Sequence, residues 1–132
     1  MELSKFSIFT LVVLFSLQLT ASYASEFPKK CPSASVIKQF PFLVANGHSG
    51  DWWIVSAAEQ KYDTKEKNWS FVFYVNKAKD ETDAIKQATD AVKTLTLTDG
   101  PRYYDSYAEC NYSVMNPKIG DAAARCFYEI CY

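Results

Sequence analysis

The sequence predicts an α+β domain: an antiparallel sheet of about four to five strands, one long helix packed on one face, and a short N-terminal helix. Apolar side chains alternate along Trp69–Val75, which is typical of a β-strand. The period changes after Glu81 to that of an amphipathic helix. Strand-like segments return after this helix, and a single helix among hairpin-linked strands favours an antiparallel sheet covered on one side.

The segments before the long helix are short and separated by polar loops. Cys31-Pro32-Ser33 precedes a candidate helical segment that ends before Pro41. The elements expected next are strands Phe42–Ala45, Trp52–Gln60 and Trp69–Val75, with loops over Asn46–Gly50 and Tyr62–Lys67.

The long helix is expected over Glu81–Thr96. Its apolar face consists of Ile85, Ala88, Val92 and Leu95. Asp80 is suited to cap the N-terminus, since a carboxylate there accepts hydrogen bonds from free backbone amides. Asp99-Gly100-Pro101 is expected to stop the helix. Two further strands follow, over Tyr103–Val114 and Ala122–Tyr132, joined by the turn Met115–Asp121.

The first 24 residues have the pattern of a cleavable signal peptide. Lys5 precedes an apolar run over Phe6–Leu19, and Ser22-Tyr23-Ala24 supplies small residues before a cleavage site. The run is shorter than the ~20 residues that a membrane span requires. We therefore expect a signal peptide at 1–24 and a single disulfide-stabilised domain at 25–132, secreted or periplasmic, with no membrane span after cleavage.

The charge balance argues against nucleic acid as a partner. The net charge is −1, and no basic cluster longer than Lys29-Lys30 precedes the folded segments. The chain carries no Gly-x-Ser-x-Gly motif, and its single histidine has no free cysteine to act with, so we expect no catalytic residues and no enzymatic activity. The cysteine spacing fits no zinc pattern, so no metal site is expected.

Four cysteines in an exported domain indicate disulfides. If the last two strands pair about a centre near Lys118, Cys110 lies opposite Cys126, which leaves Cys31 for Cys131. The alternative map joins Cys31 to Cys110 and requires the C-terminus to curl so that Cys126 reaches Cys131. We favour the first map.

Five residues are candidates for ligand binding: His48, Trp52, Tyr103, Tyr107 and Met115. Histidine, tyrosine and methionine can each ligate haem iron, and aromatic rings can stack on a porphyrin. Four of them also have an ordinary structural explanation: His48 as a solvated loop histidine, Tyr103 and Tyr107 as half-buried strand residues, and Met115 as a packing residue beside a turn. No cofactor is expected to be required; haem is a candidate ligand.

Three stretches carry a family resemblance: Cys31–Lys38, Lys61–Phe71 and Glu81–Ile85. Together with the signal peptide they resemble a family of small exported proteins from Gram-negative intracellular pathogens, one branch of which is described as haemin-binding. The resemblance covers most of the mature chain and implies an exported binding protein, with haemin as the most specific ligand. It supplies no haem-ligand motif.

Two functional hypotheses follow. The first is an exported binding protein, with haemin as its ligand. The second is a secreted host-interaction or inhibitor-type protein that binds another protein through a tyrosine-rich sheet surface. A groove with a ligand at its lip would favour the first, whereas a flat aromatic patch or an open sheet edge would favour the second.

Overall fold

The computed structural model describes residues 27–48, 52–66, 68–117 and 119–128, with only the backbone of His48. The predicted signal peptide and the segment 129–132 lie outside the described residues. Among those that are described, no helix is both long and apolar enough to cross a membrane.

The described chain forms one six-stranded antiparallel sheet with a helix, which confirms the α+β class. The strand order is β1-β2-β3-β6-β5-β4, so β1 and β4 are the edges. The number of strands expected from the sequence, four to five, was too low. The elements are α1 (Ala34–Ile37), β1 (Phe42–His48), β2 (Trp52–Ala57), β3 (Trp69–Asn76), α2 (Glu81–Ala91), β4 (Thr96–Tyr103), β5 (Tyr107–Ser113) and β6 (Ile119–Phe127).

The additional strand is β4, in the segment where the sequence predicts the end and stop signal of the helix. Asp99-Gly100-Pro101 lies inside this strand instead. The strand accommodates a proline because it is at the sheet edge and its register is irregular on both sides of Asp99. α2 accordingly ends earlier than Thr96: it runs to Ala91 and continues as a 3-10 turn over Val92–Thr94.

One face of the sheet, the covered face, forms the core. The predicted inward-facing side chains of β3 are completely buried, namely Trp69, Phe71, Phe73 and Val75. α2 packs mainly on β1 and also contacts β2 and β3. Its buried residues include Ala84, Ala88 and Ala91, and these small side chains bring the helix backbone close to the large aromatic residues of β3. Asp80 caps α2 as expected, accepting a 2.8 Å hydrogen bond from the amide of Asp83.

The N-terminal segment is tied to the other half of the covered face. The predicted N-terminal helix is only the single turn α1. Before it, Cys31 is bonded to Cys110 in β5, with 5.8 Å between the Cα atoms. Two tyrosine hydroxyls hold the same segment: Tyr103 donates to the Pro28 carbonyl and Tyr112 to the Pro32 carbonyl.

The favoured disulfide map was therefore wrong. β5 and β6 pair Cys126 with Ala108 and Cys110 with Ala124, so the two cysteines are displaced by two residues. A hairpin centre one residue earlier than the expected Lys118 produces this displacement. Cys126 is also disulfide-bonded, and no described cysteine is free. Its expected partner in the alternative map, Cys131, lies outside the described residues.

Candidate functional site

The face of the sheet opposite α2, which we call the open face, remains half exposed. Its side chains follow from the strand registers, because residues paired across neighbouring strands share a face. Its central members are Trp52, Ile54, Val72, Tyr74, Tyr107, Glu109, Asn111, Ala123, Arg125 and Phe127. Ala123 is buried, whereas the larger residues around it are intermediate or exposed. The open face is thus a shallow surface of aromatic, aliphatic and amide groups.

Aromatic rings line this face in two groups. At one side Trp52 of β2 approaches Tyr74 of β3, with ring centroids 6.1 Å apart. At the other side Tyr107 of β5 lies 5.4 Å from Phe127 and stacks on Tyr104 at 4.8 Å, with an interplanar angle of 18°. We call these five residues the aromatic strip. Ring pairs at such distances contribute stabilisation beyond the area that they bury, so each ring has a defined position.

Arg125 of β6 connects the two groups. Its Nε donates to the Glu109 carboxylate at 2.6 Å, and its Nη1 approaches the Tyr74 hydroxyl at 3.5 Å. The guanidinium also lies over the Tyr107 ring, 5.8 Å from the centroid, within the range of a cation–π contact. The strip therefore continues across β2, β3, β6 and β5 through a single arginine.

The contacts of Arg125 fix the position of its guanidinium and favour its charged form. Partial burial alone would lower its pKa, but hydrogen bonds to Glu109 and Tyr74 outweigh that effect and raise the pKa. The arginine side chain is 33% exposed and that of Glu109 is 13% exposed. Because the two opposite charges are in contact, the centre of the open face presents a neutral ion pair with one accessible edge.

The structure separates the five residues expected to bind a ligand. Trp52 and Tyr107 lie on the open face, but three strand spacings (~14 Å) apart across the sheet and about eight residues (~26 Å) apart along the strands, because Trp52 pairs with Asn76 whereas Tyr107 pairs with Phe127, next to the Cys126–Trp69 pair. His48 ends β1 instead of lying in a loop, and its backbone pairs with Trp52. Tyr103 pairs with the buried Ala108 and reaches Pro28 on the covered side, and Met115 lies at the β5–β6 turn, 86% exposed.

Tyr103 and Tyr107, which the sequence placed together in one strand over Tyr103–Val114, lie in two different strands, because Tyr103 ends β4 and Tyr107 begins β5. A hairpin turn between β4 and β5 separates them, closed by a 2.8 Å hydrogen bond from the Tyr104 amide to the Tyr107 carbonyl. The turn places Tyr103 on the covered side and Tyr107 on the open face.

Sequence reasoning did not single out Arg125 or three rings of the aromatic strip, namely Tyr74, Tyr104 and Phe127. The alternation of β3 did place Tyr74 on its less apolar face. Nothing in the sequence alone reveals that β6 is the neighbour of β3, which brings Arg125 beside Tyr74. The contact that joins the strip therefore depends on strand order.

Elsewhere on the surface, the described residues contain no group of three or more histidine, cysteine, aspartate or glutamate side chains placed to hold a metal ion. Comparisons with protein-family models, with curated proteins and with solved structures found no match to this chain.

Proposed function

We propose that this chain is an exported binding protein that recognises another protein through its open face. The observation that carries the proposal is the aromatic strip, a half-exposed row of Trp52, Tyr74, Tyr107, Phe127 and Tyr104 connected through Arg125. Tryptophan, tyrosine and arginine are the residue types that dominate binding energy at protein interfaces.

The electrostatics of the face support a protein partner. The cores of protein interfaces are depleted of charge but enriched in aromatic residues and arginine. Here the central charges of Arg125 and Glu109 neutralise each other before any partner arrives. A partner that covers them has to desolvate an ion pair that is already formed, which costs less than burying an isolated charge.

The dimensions of the face also suit a protein. Four strands at ~4.8 Å spacing, and the roughly nine residue positions between the registers of Trp52 and Tyr107, give an area of roughly 20 Å by 27 Å. That is about two-thirds of the ~800 Å² that one partner contributes to a standard interface. The flanking strands and loops can supply the remainder.

The test compares retention of a partner by matched surface variants. The purified mature domain is immobilised and exposed to an extract of host cells, beside the single variants Trp52→Ala and Tyr107→Ala. Leu97→Ala is the control, because Leu97 is an exposed apolar residue of β4 that pairs with Tyr112 on the covered side, away from the aromatic strip. We expect a protein that the parent domain and the control retain and that both strip variants lose.

The retained protein is then purified and its affinity measured. Truncating an aromatic hot-spot residue of an interface costs about 2 kcal/mol or more, which weakens affinity at least ~30-fold. Equal affinity for the parent domain, the strip variants and the control would show that the open face is not the contact surface.

Haemin is a second candidate ligand, favoured by one local observation. The backbone of His48 pairs with Trp52, whose ring contacts Tyr74, so a residue type that can ligate haem iron is the register partner of one member of an aromatic pair. Tyr103 and Met115 do not belong to this arrangement. An absorbance titration with haemin should then give a saturable Soret shift that both His48→Ala and Trp52→Ala weaken. A shift that does not saturate would refute specific haemin binding.

A further inference from the structure

The two edges of the sheet differ in how they are protected against pairing with another chain. An exposed edge strand presents unpaired amide and carbonyl groups to any extended segment, and proline, bulges or charges usually block it. β4 has all three: Pro101, two register irregularities and the ion pair between Arg102 and Asp99. This edge is therefore protected.

β1, at the opposite edge, has little of this protection. Its sequence, FLVANGH, contains no proline and no lysine, arginine, aspartate or glutamate. Leu43 and Val44 are exposed apolar residues, 57% and 45% respectively. One irregularity lies between Phe42 and Val44, and the register is regular from Val44 to His48. Within the part of the chain that the structure describes, no strand pairs with the outer side of β1, so about five residues of this edge can accept a neighbouring strand.

A groove of about 460 Å³ adjoins the beginning of β1. It lies between the α1–β1 connection and the C-terminal end of α2, with apolar walls from Phe40, Phe42 and Val92 and polar ones from Lys38, Thr89 and Lys93. Lys93 is bound to Asp90 on its own helix, whereas Lys38 forms none of the salt bridges found among the described residues. The two positive charges of Lys38 and Lys93 are larger in sum than the negative charge of Asp90 and the partial negative charge at a helix C-terminus, so this end of the groove is net positive.

The area of the β1 edge distinguishes between two kinds of occupant, a second folded copy of the chain and an extended peptide segment. A second copy paired along Val44–His48 would contact it over ~17 Å by ~10 Å, or roughly 170 Å² on each chain. A stable interface between folded proteins needs ~1,000 Å² in total. An extended segment does not need this area, because it pairs through its backbone and places alternate side chains in neighbouring pockets.

We propose that the β1 edge binds an extended segment of a partner protein as an added strand. The segment places an apolar side chain in the groove against Phe42 and Val92 and an acidic side chain near Lys38 and Lys93. This site is separate from the aromatic strip and does not depend on the function proposed for the open face.

The test uses a defined peptide set and fluorescence polarisation. The probes are acetylated octapeptides of alternating serine and valine, with glutamate placed at each position in turn and a glutamine peptide as the partner of each. We expect at least one glutamate peptide to bind about tenfold more tightly than its glutamine partner. The double variant Lys38→Gln, Lys93→Gln should remove this difference, and Lys86→Gln, an exposed lysine of the same helix, should preserve it.

The edge itself is tested with Val44→Lys, which adds a charge of the kind that protects natural edge strands. The control is Ser56→Lys, because Ser56 pairs with Val44 on the same face but lies one strand further inside. Val44→Lys should reduce the binding of all the peptides at least about tenfold, whereas Ser56→Lys should not. Circular dichroism establishes that each variant folds.

Three outcomes would overturn the proposal. The first is that no peptide of the set binds, and the second is that Val44→Lys leaves peptide binding unchanged. The third is that the parent domain sediments as a dimer that Val44→Lys dissociates. The last outcome would assign the β1 edge to a second copy. Loss of binding in the strip variants Trp52→Ala or Tyr107→Ala would concern the open face alone, so the two proposals fail separately.

Discussion

Replacing Cys31 and Cys110 together by alanine should lower the free energy of unfolding by about 4.5 kcal/mol. The bond joins residues 79 positions apart. In the chain-entropy model, closing a loop of that length in the unfolded chain contributes about 4.5 kcal/mol at 25 °C. Both cysteines are buried, so the loss of sulfur contacts adds to the effect. A domain of this size has a total stability of only ~5–15 kcal/mol, so the variant should be marginally folded.

The assay is urea unfolding followed by tryptophan fluorescence. It reports on the core because Trp69 is completely buried in β3. Two quantities should change together: the midpoint should fall, and the slope of free energy against urea should rise, because an unfolded chain without the cross-link exposes more surface. A variant that lost less than ~1 kcal/mol with an unchanged slope would refute the reasoning. Such a result would mean that the Cys31–Cys110 bond restricts neither the folded nor the unfolded chain.

Three further predictions concern single residues. Gly100→Ala should lower the free energy of unfolding in urea by more than ~2 kcal/mol, because φ is 122° and a Cβ would lie 2.8 Å from the Glu109 carbonyl oxygen. Gly120→Ala is the control: its Cβ would have its nearest contact at 3.5 Å, so the loss should be less than ~1 kcal/mol. Burial alone would raise the pKa of Asp63, but hydrogen bonds from Ser33 and Lys30 outweigh it and lower the pKa to about 2. This carboxylate therefore stabilises the fold fully above its unfolded pKa of ~3.9, by roughly 1 kcal/mol after allowance for solvent screening, and this contribution is lost as the pH falls through about 2. In Asp63→Asn the free energy of unfolding should therefore depend less on pH between pH 5 and pH 2 than it does in the parent protein. Glu109→Gln should cost about 1–3 kcal/mol in thermal unfolding because it leaves the half-buried Arg125 without its partner charge, and an unchanged melting temperature would contradict the ion pair.

Local signals in the sequence were sufficient for several elements. The alternation along Trp69–Val75 predicted both the strand and its buried face, whose side chains are completely buried: Trp69, Phe71, Phe73 and Val75. Asp80 predicted the helix start because an N-cap depends on one carboxylate and the amide three residues later. These features are set by neighbours in sequence, so the rest of the fold did not have to be known.

The errors have a common cause in non-local pairing. β4 was missed because Asp99-Gly100-Pro101 is typical of a turn, and only its pairing with β5 makes it part of a strand. The disulfide map failed because a shift of one residue in the hairpin centre displaces Cys110 from Cys126 by two residues. In both cases a tertiary partner determined the outcome, and that partner has no signature in the segment itself.

The candidate site was only partly predictable for the same reason. Trp52 and Tyr107 were recognised by residue type, which is a local property. Tyr74 and Arg125 become part of the site because β3 pairs with β6 rather than with β4 or β5. Aromatic composition therefore predicted two residues of the candidate surface, whereas the outline of that surface required the strand order.

The division of the sheet into two faces makes the functional proposals testable without loss of the fold. The covered face contains the completely buried aromatic side chains of β3, the alanines of α2 and the Cys31–Cys110 bond. The aromatic strip lies on the other face, where Trp52 and Tyr107 are only partly buried. Truncating a partly exposed ring removes much less buried area than truncating a core residue, so Trp52→Ala and Tyr107→Ala should fold. A loss of binding in these variants would then reflect the surface itself, and a retained interaction would exclude the open face as the contact.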